Sequence, residues 1–115
     1  MKIRYLDRKA VKKALDGYAR NLADSHPELE AIILFGSFAR GDSVPASDVD
    51  ILLVLAESDM PFQDRIVAFL PSRFPIGMDV FPYTREEIED MLRDGNRFVA
   101  AALENGIELF RRRPV

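Results

Sequence analysis

Gly36-Ser-Phe-Ala-Arg-Gly-Asp-Ser-Val-Pro-Ala-Ser-Asp-Val-Asp50 separates two apolar runs, Ala31-Ile-Ile-Leu-Phe35 before it and Ile51-Leu-Leu-Val-Leu55 after it. Each run is short, continuous and rich in branched side chains, the pattern of a buried strand. The insert is polar. It opens on Gly-Ser and closes on two aspartates one residue apart. A Gly-Ser that follows a strand and precedes a short helical turn, here Phe38-Ala-Arg40, lets backbone N–H groups and the positive end of a helix come close to an anion. Ser37 adds a hydroxyl. Asp48 and Asp50 stand at i and i+2, so in an extended chain both carboxylates point to one face. Two such groups repel each other unless a cation lies between them. Hard oxygen ligands suit Mg²⁺, which takes its remaining ligands from water and substrate phosphates. A phosphate cradle beside such a pair is the equipment for attack on a nucleoside triphosphate.

Composition narrows the field. The chain has 115 residues, 48% hydrophobic and 30% charged, the proportions of one ordinary globular domain covering 1–115. It has no cysteine, which excludes disulfides, thiol catalysis and a cysteine-based zinc site. Its one histidine, His26, precedes Pro27 and reads as a turn residue rather than a metal ligand. No run reaches membrane-spanning length and the N-terminus carries no signal-peptide core, so a cytoplasmic protein with no membrane partner is expected. A net charge of −3 argues against a general nucleic-acid-binding surface, which needs a basic face.

The flanking elements follow from periodicity. Val11, Leu15, Tyr18, Ala19 and Leu22 fall at helical spacing between Asp7 and Ser25, with Asp7 as the expected cap. Strands are predicted over Glu30–Phe35 and Val49–Ala56, the second apolar on both faces and therefore central. Ser58-Asp59-Met60-Pro61 opens a second helix whose apolar face carries Phe62, Ile66, Phe69 and Leu70, closed by Pro71 and Pro75. A third strand runs Ile76–Pro82. Thr84 and Glu87 form a capping box for a helix bearing Ile88, Met91 and Leu92, broken at Asp94-Gly95. A last helix spans Asn96–Asn105, with Phe98, Val99, Ala102 and Leu103 facing inward and Gly106 as its stop. Ile107–Phe110 reads as an edge strand and Arg111-Arg-Arg113 as a solvated basic tail.

Asp79 is the exception in its strand, an acid among Ile76, Met78, Val80 and Phe81. A charge there is costly unless it is paired or metal-bound. Two-metal phosphoryl chemistry needs a further carboxylate beside the first pair, to complete the metal shell and help take a proton from the attacking hydroxyl. An outward-facing acid on an edge strand is the structural alternative. Arg40 either pairs with a nearby carboxylate or reaches phosphate. Asp42 caps or turns the loop. Ser47, just before Asp48, can fix the loop through a local side-chain-to-backbone bond.

Gly36-Ser37, ten residues and then Asp48-x-Asp50 resembles the signature of the DNA polymerase β-like nucleotidyltransferase superfamily. The fuller form, Gly-Ser-Phe-Ala-Arg-Gly-Asp followed by Ser-Asp-Val-Asp-Ile-Leu-Leu-Val, is similar to the minimal nucleotidyltransferase group. So is the ending Asn-Gly-Ile-Glu-Leu-Phe. The resemblance implies an α+β fold, a small mixed sheet flanked by helices. It implies Asp48, Asp50 and Asp79 as catalytic residues and as ligands of two Mg²⁺ ions, with ATP as substrate. It also implies Gly36, Ser37, Arg40 and Ser47 as the nucleotide-binding set. Larger relatives carry an additional domain for the acceptor. Almost every residue here is spent on the core fold, so the acceptor is expected on another protein. Minimal nucleotidyltransferases act as antitoxins that adenylylate a tyrosine of a helical HEPN ribonuclease toxin, and the resemblance carries that expectation here. Two other readings stand beside it. One is a non-catalytic antitoxin that covers its toxin. The other is a small-molecule nucleotidyltransferase that completes its acceptor site as a homodimer.

Overall fold

Two apolar runs become the centre of the sheet. In the computed structural model, which describes residues 8–41 and 48–112, β1 (Leu29–Phe35) pairs antiparallel with β2 (Val49–Leu55). β3 (Met78–Thr84) adds parallel to β2, and β4 (Ile107–Arg111) adds antiparallel to β1, giving the order β3-β2-β1-β4. The sheet is therefore mixed, with helices on both faces. This is the expected α+β architecture. Among the described residues no helix is long and apolar enough to cross a membrane.

One face of the sheet packs Ile32, Leu34, Ile51 and Leu53 against α1 (Arg8–Ser25), which presents Val11, Leu15, Tyr18 and Ala19. The i, i+4, i+7, i+8 spacing supplies that stripe. Phe38 of the one-turn helix α2 (Gly36–Arg40) and Phe69 of α3 (Phe62–Phe69) join the same core. The other face carries Ile33 and Leu52 under Ala102 of α5 (Arg97–Asn105), with Phe35, Phe81 and Tyr83 packed alongside. A strand alternates sides at every residue, so this second set fixes which face Asp50 and Asp79 occupy.

The Thr84 box forms as expected and opens α4 (Arg85–Arg93): Glu87 N–H donates to Thr84 Oγ1, and Thr84 N–H donates to Glu87 Oε1. The third strand starts and ends two residues later than its apolar pattern predicts. It continues through Pro82 because β3 is an edge strand, where a missing N–H breaks no ladder. The second helix begins at Phe62 rather than Ser58, and Leu70 lies outside it and exposed. Gly106 ends α5 as expected, but in extended rather than left-handed backbone (φ −74°). It is glycine for lack of space: an added Cβ would strike Ile33 Cγ2 and the Ala102 carbonyl. The basic tail is also less free than its charge implies. The Arg112 guanidinium donates to the carbonyls of Ala23, His26 and Leu29, tying up the C-terminal end of α1. His26 is a turn residue against Glu28 and the Phe69 ring. Asp7, Asp42, Ser47 and Arg113 lie outside the described residues.

Candidate active site

The sheet topology brings the acids together. The start of β2, the end of β1 and the start of β3 meet at one end of the sheet. Asp50 stands opposite Phe35 on one side and opposite Asp79 on the other. All three side chains share the face covered by α5. Asp48 sits just before β2 and faces the same cluster, close enough that its charge, with that of Asp79, acts on Asp50. Burial first, then Asp79 and Asp48, hold the Asp50 carboxyl above the ordinary aspartate range, while Arg40 pulls in the opposite direction. Arg40 thus lies on the acidic side of the site as a counter-charge. Asp79 is exposed on an edge strand and yet in register with Asp50. Both readings of its position therefore describe the same side chain.

Two glycines make room for these carboxylates. Gly36 turns the chain from β1 into α2 at φ +81°, and a Cβ there would collide with Asp50 Oδ2. Gly77, one residue before β3, leaves no space either: a Cβ would strike Asp48 Oδ1 and sit 2.7 Å from its Cγ. The Gly77 carbonyl also accepts the Val49 N–H at 3.0 Å, which fixes the backbone beside Asp48. Gly36 was visible in the sequence. Gly77 carries a weaker signal, a glycine two residues before an isolated strand acid, which is a sign of close backbone approach. Ser37 lines the mouth of the site at the start of α2. That turn is fastened by the buried Phe38, whose ring lies 4.3 Å below the Arg8 guanidinium and whose carbonyl accepts from Arg8 Nη2 at 3.0 Å.

Among the described residues no three acidic or histidine side chains close on a common metal centre. Asp48 and Asp79 are nonetheless near enough for their charges to act on Asp50. The donor set still fits Mg²⁺: hard oxygens, partly desolvated at Asp50, with an excess of negative charge that a cation would relieve.

Beside the carboxylates lies a cavity of about 570 Å³ between α2 and α5, with Asp50, Gly36, Ser37 and Arg40 on one wall. The opposite wall comes from α5. Its Phe98, expected to face the core, is 44% exposed and forms an aromatic cluster with Phe35 and Phe81. Helical periodicity places a side chain on the inner face but does not say whether anything covers it.

Comparison with known proteins is consistent with this geometry. Residues 19–113 match the family described as Polymerase beta, Nucleotidyltransferase. A bifunctional uridylyltransferase/uridylyl-removing enzyme of Cupriavidus pinatubonensis is 34% identical over 88 residues, 76% of this chain but 10% of that protein. The chain therefore spans about a tenth of the length of that relative. A candidate protein adenylyltransferase of Methanocaldococcus jannaschii is 28% identical over 92 residues, 71% of this chain and 91% of its own. The crystal structure of a candidate nucleotidyltransferase from Sulfolobus solfataricus superposes with a TM-score of 0.64 at 24% identity, over 91% of this chain and 84% of that one. A toxin–antitoxin crystal structure with AMP-PNP gives a TM-score of 0.50 at 21% identity, over 94% of this chain and 76% of that one. At these identities the two structures speak for the fold alone.

Proposed function

The chain belongs to the polymerase β nucleotidyltransferase family, and from that premise we propose that it is a Mg²⁺-dependent protein adenylyltransferase. In this reading it transfers AMP from ATP to a tyrosine hydroxyl of a helical HEPN-type toxin and so acts as the antitoxin. The observation that carries it is the facing of Asp50 and Asp79 across the β2–β3 ladder, with Asp48 beside them and Gly36-Ser37 next door. The relative assigned to protein adenylylation, which this chain spans almost end to end, supports a protein acceptor. The toxin–antitoxin fold neighbour, with its ATP analogue, supports the partner and the nucleotide.

In the proposed reaction the acceptor oxygen attacks the α-phosphorus of ATP. The bond from that phosphorus to the bridging oxygen breaks, and pyrophosphate leaves with the electron pair. Asp48, Asp50 and Asp79 would hold the two metal ions. When bound, Mg²⁺ supplies charge neutralisation at the triphosphate and lowers the acidity barrier of the acceptor hydroxyl. In this reading the Gly36 backbone, the Ser37 hydroxyl and the Arg40 guanidinium would bind the triphosphate oxygens and orient the leaving group. Asp79, exposed at the sheet edge as Asp48 is before β2, would help take the proton of the incoming acceptor hydroxyl.

The test is incubation with α-labelled ATP, Mg²⁺ and the protein encoded by the neighbouring gene. Label on a tyrosine of that protein, lost with the Asp48→Ala/Asp50→Ala double variant, is the expected result. Absence of transfer, together with full neutralisation of the toxin by the double variant in cells, would overturn the reading in favour of an antitoxin that acts by binding alone.

A further inference from the structure

We propose that the α5 wall of the cavity beside Asp50 is the base-binding half of the nucleotide site, with Phe98 as stacking platform and Asn105 as the residue that selects adenine. The proposal rests on the nucleotidyltransferase reading above and deepens it. The two walls of the cavity differ in chemistry. One carries the groups suited to phosphate and metal: Gly36, Ser37, Arg40 and Asp50. The other is α5, which presents Phe98, Ala101, Ala102 and Asn105 at i, i+3, i+4 and i+7, a single helical stripe. A triphosphate has no use for an apolar trough. A nucleobase needs a flat apolar face with a polar handle at its rim.

The stripe has that form. Two alanines form its floor. Phe98 and Asn105 stand at its two ends, about 10 Å apart along the helix axis. The Phe98 ring is held by edge contacts to Phe35 and Phe81, at centroid distances of 5.3 and 5.1 Å, and 44% of the residue stays exposed. It is therefore an aromatic surface braced by two neighbouring rings and still open to solvent. Asn105 is exposed, and its carboxamide takes no partner among the described residues. A carboxamide donates and accepts side by side, which matches the N6–N7 edge of adenine, where an amino donor adjoins a ring-nitrogen acceptor. The O6–N7 edge of guanine offers two acceptors, and one of them would face the carboxamide oxygen. Phe35 links the halves, since it touches Phe98 and stands opposite Asp50 in the ladder.

The experiment is calorimetric binding of MgATP, MgGTP and magnesium tripolyphosphate to the full chain. Phe98→Ala is expected to weaken ATP roughly tenfold or more, the cost of one lost base–aromatic stack, and to leave tripolyphosphate unchanged. Phe98→Trp should keep ATP affinity. Ala101→Trp, which adds bulk at an exposed position without removing core, should weaken ATP and spare tripolyphosphate. Asn105→Ala should erase the preference of ATP over GTP. Equal weakening of ATP and tripolyphosphate by Ala101→Trp, or unchanged ATP affinity in Phe98→Ala, overturns the assignment of this wall to the base. If the wild type binds neither ATP nor tripolyphosphate, the nucleotidyltransferase reading itself fails. If ATP binds and its AMP is transferred while the α5 variants change nothing, only the base site fails.

Discussion

Asp50 and Asp79 stand opposite each other across the parallel β2–β3 ladder, two carboxylates in register on one face of a sheet. Such a pair destabilises its own fold. Asp48 adds to the repulsion, and Arg40 offsets part of it. On the proposed function a bound cation would relieve that repulsion, so stability and chemistry would oppose each other at these positions.

Asp50→Asn is therefore expected to stabilise the metal-free protein at neutral pH. Burial and the neighbouring acids raise the Asp50 pKa above its usual 3.8. The sign follows: the native state favours the neutral carboxyl, so stability from this group is fully present below the unfolded value and is lost as pH rises through the folded one. Repulsion between partly solvated carboxylates is worth about 0.5–1 kcal/mol, so thermal unfolding in chelator should shift upward by on the order of 2–5 °C. The gain should vanish below about pH 4, where both proteins carry a neutral side chain. The same variant should lose Mg²⁺-dependent ATP binding. A variant that is less stable than wild type at pH 7 would show that the carboxylate is held by favourable partners instead.

Much of this arrangement can be read from the chain because it rests on short-range patterns. Two continuous apolar runs require central strands, i and i+2 spacing puts Asp48 and Asp50 on one face, and an acid in a third strand is anomalous enough to be noticed. Thr84 and Glu87 specify their box locally. What stays hidden depends on distant neighbours. The register that sets Asp79 against Asp50 is a pairing between segments far apart in sequence. Arg65 looks like one more charge on a helix and is buried. Gly77 looks like a turn residue and is the space that Asp48 occupies.

Gly77→Ala tests that space. The methyl group cannot coexist with the observed Asp48 side chain, so the carboxylate must rotate away or β3 must move. Backbone strain is no part of the effect, because Gly77 is not in left-handed backbone. Fold stability should fall by no more than about 1 kcal/mol, while the AMP-transfer rate should drop roughly 10²-fold, as expected when a reacting group is displaced by an ångström. Gly36→Ala should behave differently. It meets Asp50 and also forces a side chain into φ +81°, adding a stability loss of about 1–2 kcal/mol. Thermal melts with parallel rate measurements separate the two.

Tyr18 offers a test at the alkaline end. Its hydroxyl donates to the Phe69 carbonyl at 2.8 Å inside the α1–α3 contact, and burial raises its pKa above the ordinary 10.0. A raised pKa means that the native state favours the protonated form, so this contribution is intact below pH 10 and declines above it. Tyr18→Phe should cost about 1 kcal/mol at pH 7 by leaving that carbonyl unpaired. The gap to wild type should close as pH rises beyond 10, because only the wild type has a proton to lose. Denaturant melts from pH 7 to 11 measure it, and a gap that stays constant would rule out the buried hydroxyl as its source.

Arg65 ties the parts behind the site together. The side chain is 5% exposed and donates from Nε to the Met60 carbonyl at 2.9 Å, from Nη1 to the Pro82 carbonyl at 3.1 Å and from both terminal nitrogens to Glu87. It joins the start of α3, the end of β3 and the first turn of α4, and Arg65 holds the Glu87 carboxyl below its ordinary range. Arg65→Met fills the volume without donors. It strands the Met60 and Pro82 carbonyls and takes the guanidinium from Glu87, whose Oε1 keeps the Thr84 N–H, a cost of about 2–4 kcal/mol, eased by the solvent that still reaches Glu87. Arg65→Lys should cost about half as much, since an ammonium cannot form the two-toothed pair. Glu87 has its pKa lowered, so its contribution is present above the unfolded value of 4.5 and is lost as pH falls. The difference between wild type and Arg65→Met should therefore shrink on acidification, whereas a loss caused by packing alone would not depend on pH. Because β3 carries Asp79, both variants should also lower the rate of AMP transfer more than they lower ATP affinity. Equal losses in both would place the effect on the fold as a whole rather than on the position of β3.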